Sequence, residues 1–209
     1  MPVFLSLFDR LFICFKLISE ILEQIANKKP DLLRRKDEKG GNPLHCAACM
    51  GYVWGTQFLF DKYRDGAIQQ NDEGNMPVHV ASKKDRVDVV DAYISNWTDP
   101  AEFLNIKRQN ILHVAAESGR HLVVKYILRN KKLEPLINEQ DLDGNTPLHL
   151  ASKNGRSIAT FTLVRNSIVK KRICIANGEN LTPYEVAEKQ SKIVGAEYSG
   201  EPIPNGKVC

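Results

Sequence analysis

A histidine stands directly before a C-x-x-C pair in the stretch LHCAACMGY, residues 44–52. Histidine and two cysteines at this spacing could contribute three of the four ligands of a zinc site. Two thiols one helical turn apart could also form a redox pair. The remaining cysteines, Cys14, Cys174 and Cys209, are scattered, and an odd total of five at irregular spacing describes reduced thiols rather than a disulfide framework. No Walker loop, nucleophile elbow or further metal-ligand cluster accompanies them. No catalytic residue, metal or cofactor is therefore expected.

The element carrying the histidine settles how HCAAC is best understood, because it recurs. GGNPLHCAACMG at 40–51 returns as GNMPVHVASKKD at 74–85, RQNILHVAAESG at 108–119 and GNTPLHLASKNG at 144–155, and more faintly as NLTPYEVAEKQ at 180–190. The histidine falls at His45, His79, His113 and His149, with Glu185 in the fifth slot, so successive steps are 34, 34, 36 and 36 residues. A period near 33 with a T-P-L-H-x-A core resembles the ankyrin repeat. Each position has a physical reason. Pro43, Pro77, Pro147 and Pro183 suit a first helical position, where a missing N–H costs nothing. Thr146 and Thr182 offer N-cap oxygens. The small pairs Ala47-Ala48, Ala81-Ser82, Ala115-Ala116 and Ala151-Ser152 allow close helix approach, and Gly51, Gly119 and Gly155 can end each helix in a left-handed residue. Apolar spacing then predicts a second helix per unit, through Val53, Phe58 and Leu59, through Val89, Val90 and Tyr93, through Val123 and Ile127, and through Phe161 and Leu163.

In this register Cys46 takes the slot of Val80, Val114 and Leu150 and is expected in the core, while Cys49 aligns with charged positions and is expected to be more exposed. The histidine rings are expected to bond local backbone or a neighbouring cap. Gly40, Gly74 and Gly144 mark the turn of the finger between repeats. Arg108 replaces that glycine and Ile111 the proline in the third unit, and the cost of a left-handed arginine, about 1–2 kcal/mol, predicts a different turn there.

The fold expected is an all-α ankyrin-repeat solenoid of about five helix-turn-helix repeats with hairpin fingers, plus an N-terminal capping helix. Its parts are an amphipathic cap segment at 1–16, repeats at 17–190 and a flexible polar tail at 191–209. Phe4, Phe8, Leu11 and Phe15 share one face of the cap segment, which would cover the open first repeat. The same stripe would also suit docking to a membrane surface, with Cys14 a site for acylation. Asp9, Arg10, Lys16 and Glu20 interrupt the segment too often for a span.

Beyond the generic repeat, KKPDLLRRKDEKGGNPLHCAACMGYVWGTQFLFDKY, MPVHVASKKDRVDVVDAYI, RQNILHVAAESGRHLVVKYIL and DLDGNTPLHLASKNG resemble the plant ankyrin proteins of the accelerated-cell-death and salt-tolerance type. In that family a PGG motif and membrane-spanning helices follow the repeats. Here SKIVGAEYSGEPIPNGKVC follows Gln190 instead, so the resemblance implies a member without the membrane region. It also implies an adaptor or regulator in plant stress and defence signalling, cytoplasmic, with the cytosolic face of the plasma membrane as its place of action. A peripheral membrane protein held by the N-terminal helix beside full-length relatives is the alternative.

Stacked repeats form an extended concave surface from finger tips and inner helices, which points to another protein as partner. Lys39, Glu73, Asn75, Lys83, Lys84, Lys107, Arg108, Glu117, Asn145 and Lys153 fall on it by register. Lysine and arginine prevail over Glu73 and Glu117, so an acidic partner segment is the natural complement, although exposed lysines also simply keep a surface soluble. A net charge of +4 is too small for a phosphate-binding protein, and the basic run VKKRI at 169–173 suits a solvated helix end, so nucleic acid is not expected as a partner.

Overall fold

The computed structural model describes the backbone of residues 19–97 and 99–199 and the side chains as far as residue 192. Helix α1 passes through 19–28. Four helix pairs follow: α2 (Pro43–Met50) with α3 (Val53–Lys62), α4 (Pro77–Lys83) with α5 (Val87–Asn96), α6 (Ile111–Glu117) with α7 (His121–Arg129), and α8 (Pro147–Lys153) with α9 (Ser157–Val164). The short α10 (Ser167–Lys170) and the longer α11 (Pro183–Ser199) close the series. Among the described residues there is no strand.

The inner helices α2, α4, α6, α8 and α11 stack in sequence, and the outer helices α3, α5, α7 and α9 form a second row behind them. The small pairs make this possible: Ala48, Ala81, Ala115, Ala116 and Ala151 are wholly buried where successive inner helices meet. Between the rows lie Leu44, Val78, Leu112 and Leu148 from the inner helices, and Leu59, Val90, Tyr93, Val124, Ile127 and Leu163 from the outer ones. Tight 3-10 turns after α3, α5 and α7 tuck Ala67, Phe103, Leu133 and Leu136 beneath this core. Each unit thus buries its apolar face only against its neighbours.

The interhelical turns carry the expected left-handed glycines at Gly51, Gly119 and Gly155. The second repeat places Asp85 in the same conformation, with φ of 60°. Its carboxylate Oδ1 accepts the Val123 backbone N–H at 3.0 Å, capping the start of α7 in the next repeat. That bond offsets the cost of a left-handed non-glycine residue.

The third finger corrects the expectation from sequence. Arg108 takes φ of 55° and closes the same turn as the glycines, its N–H donating to Asn105 O at 2.8 Å as Gly74 N–H does to Asn71 O. Asn105 explains the tolerance. Its side-chain oxygen accepts from the N–H groups of Lys107 and Gln109, both at 2.9 Å, and holds the loop whichever residue stands at 108. Asp37, Asn71, Asp141 and Asn177 anchor the other fingers in the same way.

At the C-terminal end, α11 runs to Ser199, into the segment expected as flexible tail. The sequence after Gln190 holds no early breaker, and Lys192 pairs with Glu188 one turn back at 2.9 Å. The expected cap segment at 1–16 lies outside the described residues.

Candidate functional site

The four repeat histidines, unlike His121 at the start of α7, are committed to the scaffold. Nδ1 of His45, His79, His113 and His149 accepts the backbone N–H of the residue three before it, at 3.1, 3.3, 3.3 and 3.1 Å. Nε2 then lies 2.9–3.0 Å from a carbonyl of the next finger, on Asn75, Gln109, Asn145 and Leu181. A carbonyl can only accept, so the ring is neutral with its proton on Nε2. Burial keeps it so: desolvation pushes His79 and His113 down to about 4, and lowers His45 and His149 as well. Glu185 performs the first half of this task in the fifth unit, its carboxylate accepting the Thr182 N–H at 2.7 Å. A group that serves as a structural staple on both nitrogens has no valence left for metal or proton transfer.

The two cysteines of HCAAC reverse their expected exposure. Cys46 is exposed and Cys49 half-buried. The Cys46 slot faces the preceding repeat. The slot is half-buried at Val80 and buried at Val114 and Leu150, each with a repeat before it, whereas Cys46 lies on the N-terminal face beside Leu22, Leu32, Pro43 and Met50. Desolvation raises the Cys46 thiol above its ordinary value, which opposes thiolate formation. Among the described residues, no three His, Cys, Asp or Glu side chains converge as a ligand set.

A polar concavity of about 530 Å³ runs along the inner helices and fingers of the second to fourth repeats. It brings together Glu73, Asn75, Lys83, Lys84, Lys107 and Glu117 from the register-based set. Lys39, Arg108, Asn145 and Lys153 lie outside its lining. Lys83 Nζ bonds Glu73 Oε2 at 2.9 Å, which lowers the Glu73 carboxyl below the ordinary range, while Lys84 and Lys107 are exposed without an ion pair among the described residues. Asn75 and Asn145 are buried and tie finger to finger: Asn105 Nδ2 donates to Asn75 Oδ1 at 3.1 Å and Asn177 Nδ2 to Asn145 Oδ1 at 2.9 Å. Their side chains are framework rather than contact surface. Asn105, Gln109, Arg120 and Arg156 line the cleft without having been singled out from sequence. Their signal was present as the same period of 34 to 36 residues, visible in Asn71, Asn105 and Asp141 and in Arg86, Arg120 and Arg156.

The family model of ankyrin repeats, in three copies, matches residues 78–173, the span from α4 through α10 that carries this geometry. These are ankyrin repeats. Over 122 residues, 56% of this chain, the sequence is 26% identical to the transient receptor potential cation channel subfamily A member 1 of Homo sapiens. Over 132 residues, 63% of this chain, it is 25% identical to the ankyrin repeat domain-containing protein SAT10 of Stachybotrys chartarum. The matches span 10% and 7% of those two proteins. The ankyrin stack is an architecture for protein–protein interaction, and no described helix is long and apolar enough to cross a membrane.

Proposed function

We propose that this ankyrin stack is an adaptor or regulator that holds an acidic segment of another protein along its concave surface, acting in plant stress or defence signalling. The observation that carries the binding mode is the cleft itself. Fingers locked by Asx side chains and histidine staples present Lys84, Lys107, Arg120 and Arg156 on a rigid frame, while Glu73 is already neutralised by Lys83. Fixed positive groups on an ordered surface favour an anionic partner and speed its approach. The signalling setting, and a place of action beside the plasma membrane, rest on the resemblance of the repeats to the plant accelerated-cell-death and salt-tolerance proteins.

The test is affinity purification from stressed plant tissue with the wild-type chain and two variants. Lys84→Glu with Lys153→Glu alters the cleft at Lys84 and the end of inner helix α8 beside it at Lys153, and Ile158→Ser with Phe161→Ser alters exposed positions on outer helix α9. A partner lost with the first pair and retained with the second supports the proposal. The opposite pattern places recognition on the outer helices and refutes it.

A further inference from the structure

Three arginines recur at the residue that opens an outer helix, Arg86 before α5, Arg120 before α7 and Arg156 before α9. Each reaches back over the preceding repeat and donates its Nε–H to a carbonyl at the end of that repeat's inner helix. The acceptors are Cys49 O at 3.2 Å, Lys83 O at 2.8 Å and Glu117 O at 2.9 Å. Two of the turns beneath are glycines that leave room for the stem. A Cβ at Gly51 would stand 2.9 Å from Arg86 Cδ, and one at Gly119 2.9 Å from Arg156 Cδ.

A guanidinium carries five N–H donors, and the Nε bond uses one. The outer edges of all three forks make no hydrogen bond or ion pair among the described residues, and all three side chains are exposed. Ordinarily a surface arginine loses rotamer freedom when it binds. Here the Nε bond has already taken that freedom in the free protein, so the forks are preset.

We propose that Arg86, Arg120 and Arg156 form a row of carboxylate receptors, Arg120 and Arg156 in the lining of the cleft and Arg86 one repeat before it, each taking one Asp or Glu side chain of an extended acidic segment laid along the row. This rests on the concave-surface function proposed above and names the side chains that read the partner. A single planar fork per repeat matches the two oxygens of a carboxylate. A phosphate dianion fits less well, because each rung lacks a second arginine and Glu117 lies in the same cleft as Arg120 and Arg156. Lys84 and Lys107 add long-range attraction without geometric selection.

Arginine-to-lysine exchange separates shape from charge. The full chain and its Arg86→Lys, Arg120→Lys, Arg156→Lys variant are titrated at low salt with a fluorescein-labelled alternating Glu–Ser peptide. The Gln-for-Glu peptide and a phosphoserine peptide of equal charge are run alongside, at a temperature where circular dichroism shows both proteins folded. The expected result is binding of the Glu peptide by the wild type, none of the Gln peptide, and affinity weaker by about tenfold in the lysine variant. Equal affinity in the lysine variant, or preference for the phosphoserine peptide, overturns the row of carboxylate receptors. So does a wild-type chain that binds no Glu peptide while its tissue partner is still released by Lys84→Glu with Lys153→Glu; in that case the groove function stands. If those two reversals release no partner either, the groove function falls as well.

Discussion

Acid lability between pH 7 and pH 5 follows from the histidine staples. His79 and His113 are wholly buried and titrate at about 4 in the fold, against 6.5 for an unperturbed imidazole. Between those values the unfolded chain binds more protons than the native one, so stability is fully present above 6.5 and drains away as the pH falls toward 4. For one such histidine the loss from pH 7 to pH 5 is about 2 kcal/mol, and for the pair about 4 kcal/mol, a large part of a stability of about 5–15 kcal/mol. His45 and His149 shift in the same direction and add to it. The carboxylates with lowered values, Asp37, Glu73, Glu179 and Glu185, stabilise the fold above their ordinary range of 3.8–4.5 and titrate below this window. Urea unfolding followed by circular dichroism at both pH values reads the effect. The double variant His79→Gln, His113→Gln is less stable at pH 7, because each ring spans two repeats, yet its difference between pH 7 and pH 5 shrinks by about 4 kcal/mol. A wild-type midpoint that does not move over this range refutes the reasoning, and so does a double variant with an undiminished difference.

Other positions give sharper single readings. Tyr93 is wholly buried and its hydroxyl has no hydrogen-bond partner among the described residues, so Tyr93→Phe is expected to raise the thermal midpoint, by about 1–3 kcal/mol in stability, with no loss of packing against Phe60. Arg108→Gly relieves a left-handed arginine and stabilises by about 1 kcal/mol, whereas Asp85→Gly also removes the bond to Val123 N and yields no such gain; paired denaturation curves show whether the two diverge. Cys46→Val with Cys49→Ser leaves the melting curve and partner binding unchanged; stoichiometric zinc lost in that double variant would return HCAAC to metal chemistry.

The periodic parts of the fold were legible because each repeat solves the same packing problem with the same residues. Proline opens the inner helix, the histidine bridges to the next finger, and paired small residues admit the neighbouring helix. What periodicity conceals is whether a slot has a neighbour. Cys46 occupies a core slot by register but belongs to the first complete repeat, and it is exposed where Val80 is half-buried and Val114 and Leu150 are buried. Backbone propensity misled at Arg108 for a different reason. The left-handed cost is about 1–2 kcal/mol, and two side-chain bonds from buried Asn105 outweigh it. Within the candidate surface, Lys84 and Lys107 could be placed by register alone. The fixed direction of Arg120 and Arg156 depends on carbonyls 37 and 39 residues away, a contact that only the folded stack reveals.

The association rate of the purified partner with the full chain tests the central claim, that recognition runs along the basic concave surface. Stopped-flow mixing at low salt compares the wild type with the Lys84→Glu, Lys107→Glu, Lys153→Glu variant, whose three changes are at exposed positions. The account predicts association slower by about tenfold or more, with a weaker dependence on salt, and an unchanged melting curve. Equal association rates for the two proteins would contradict it.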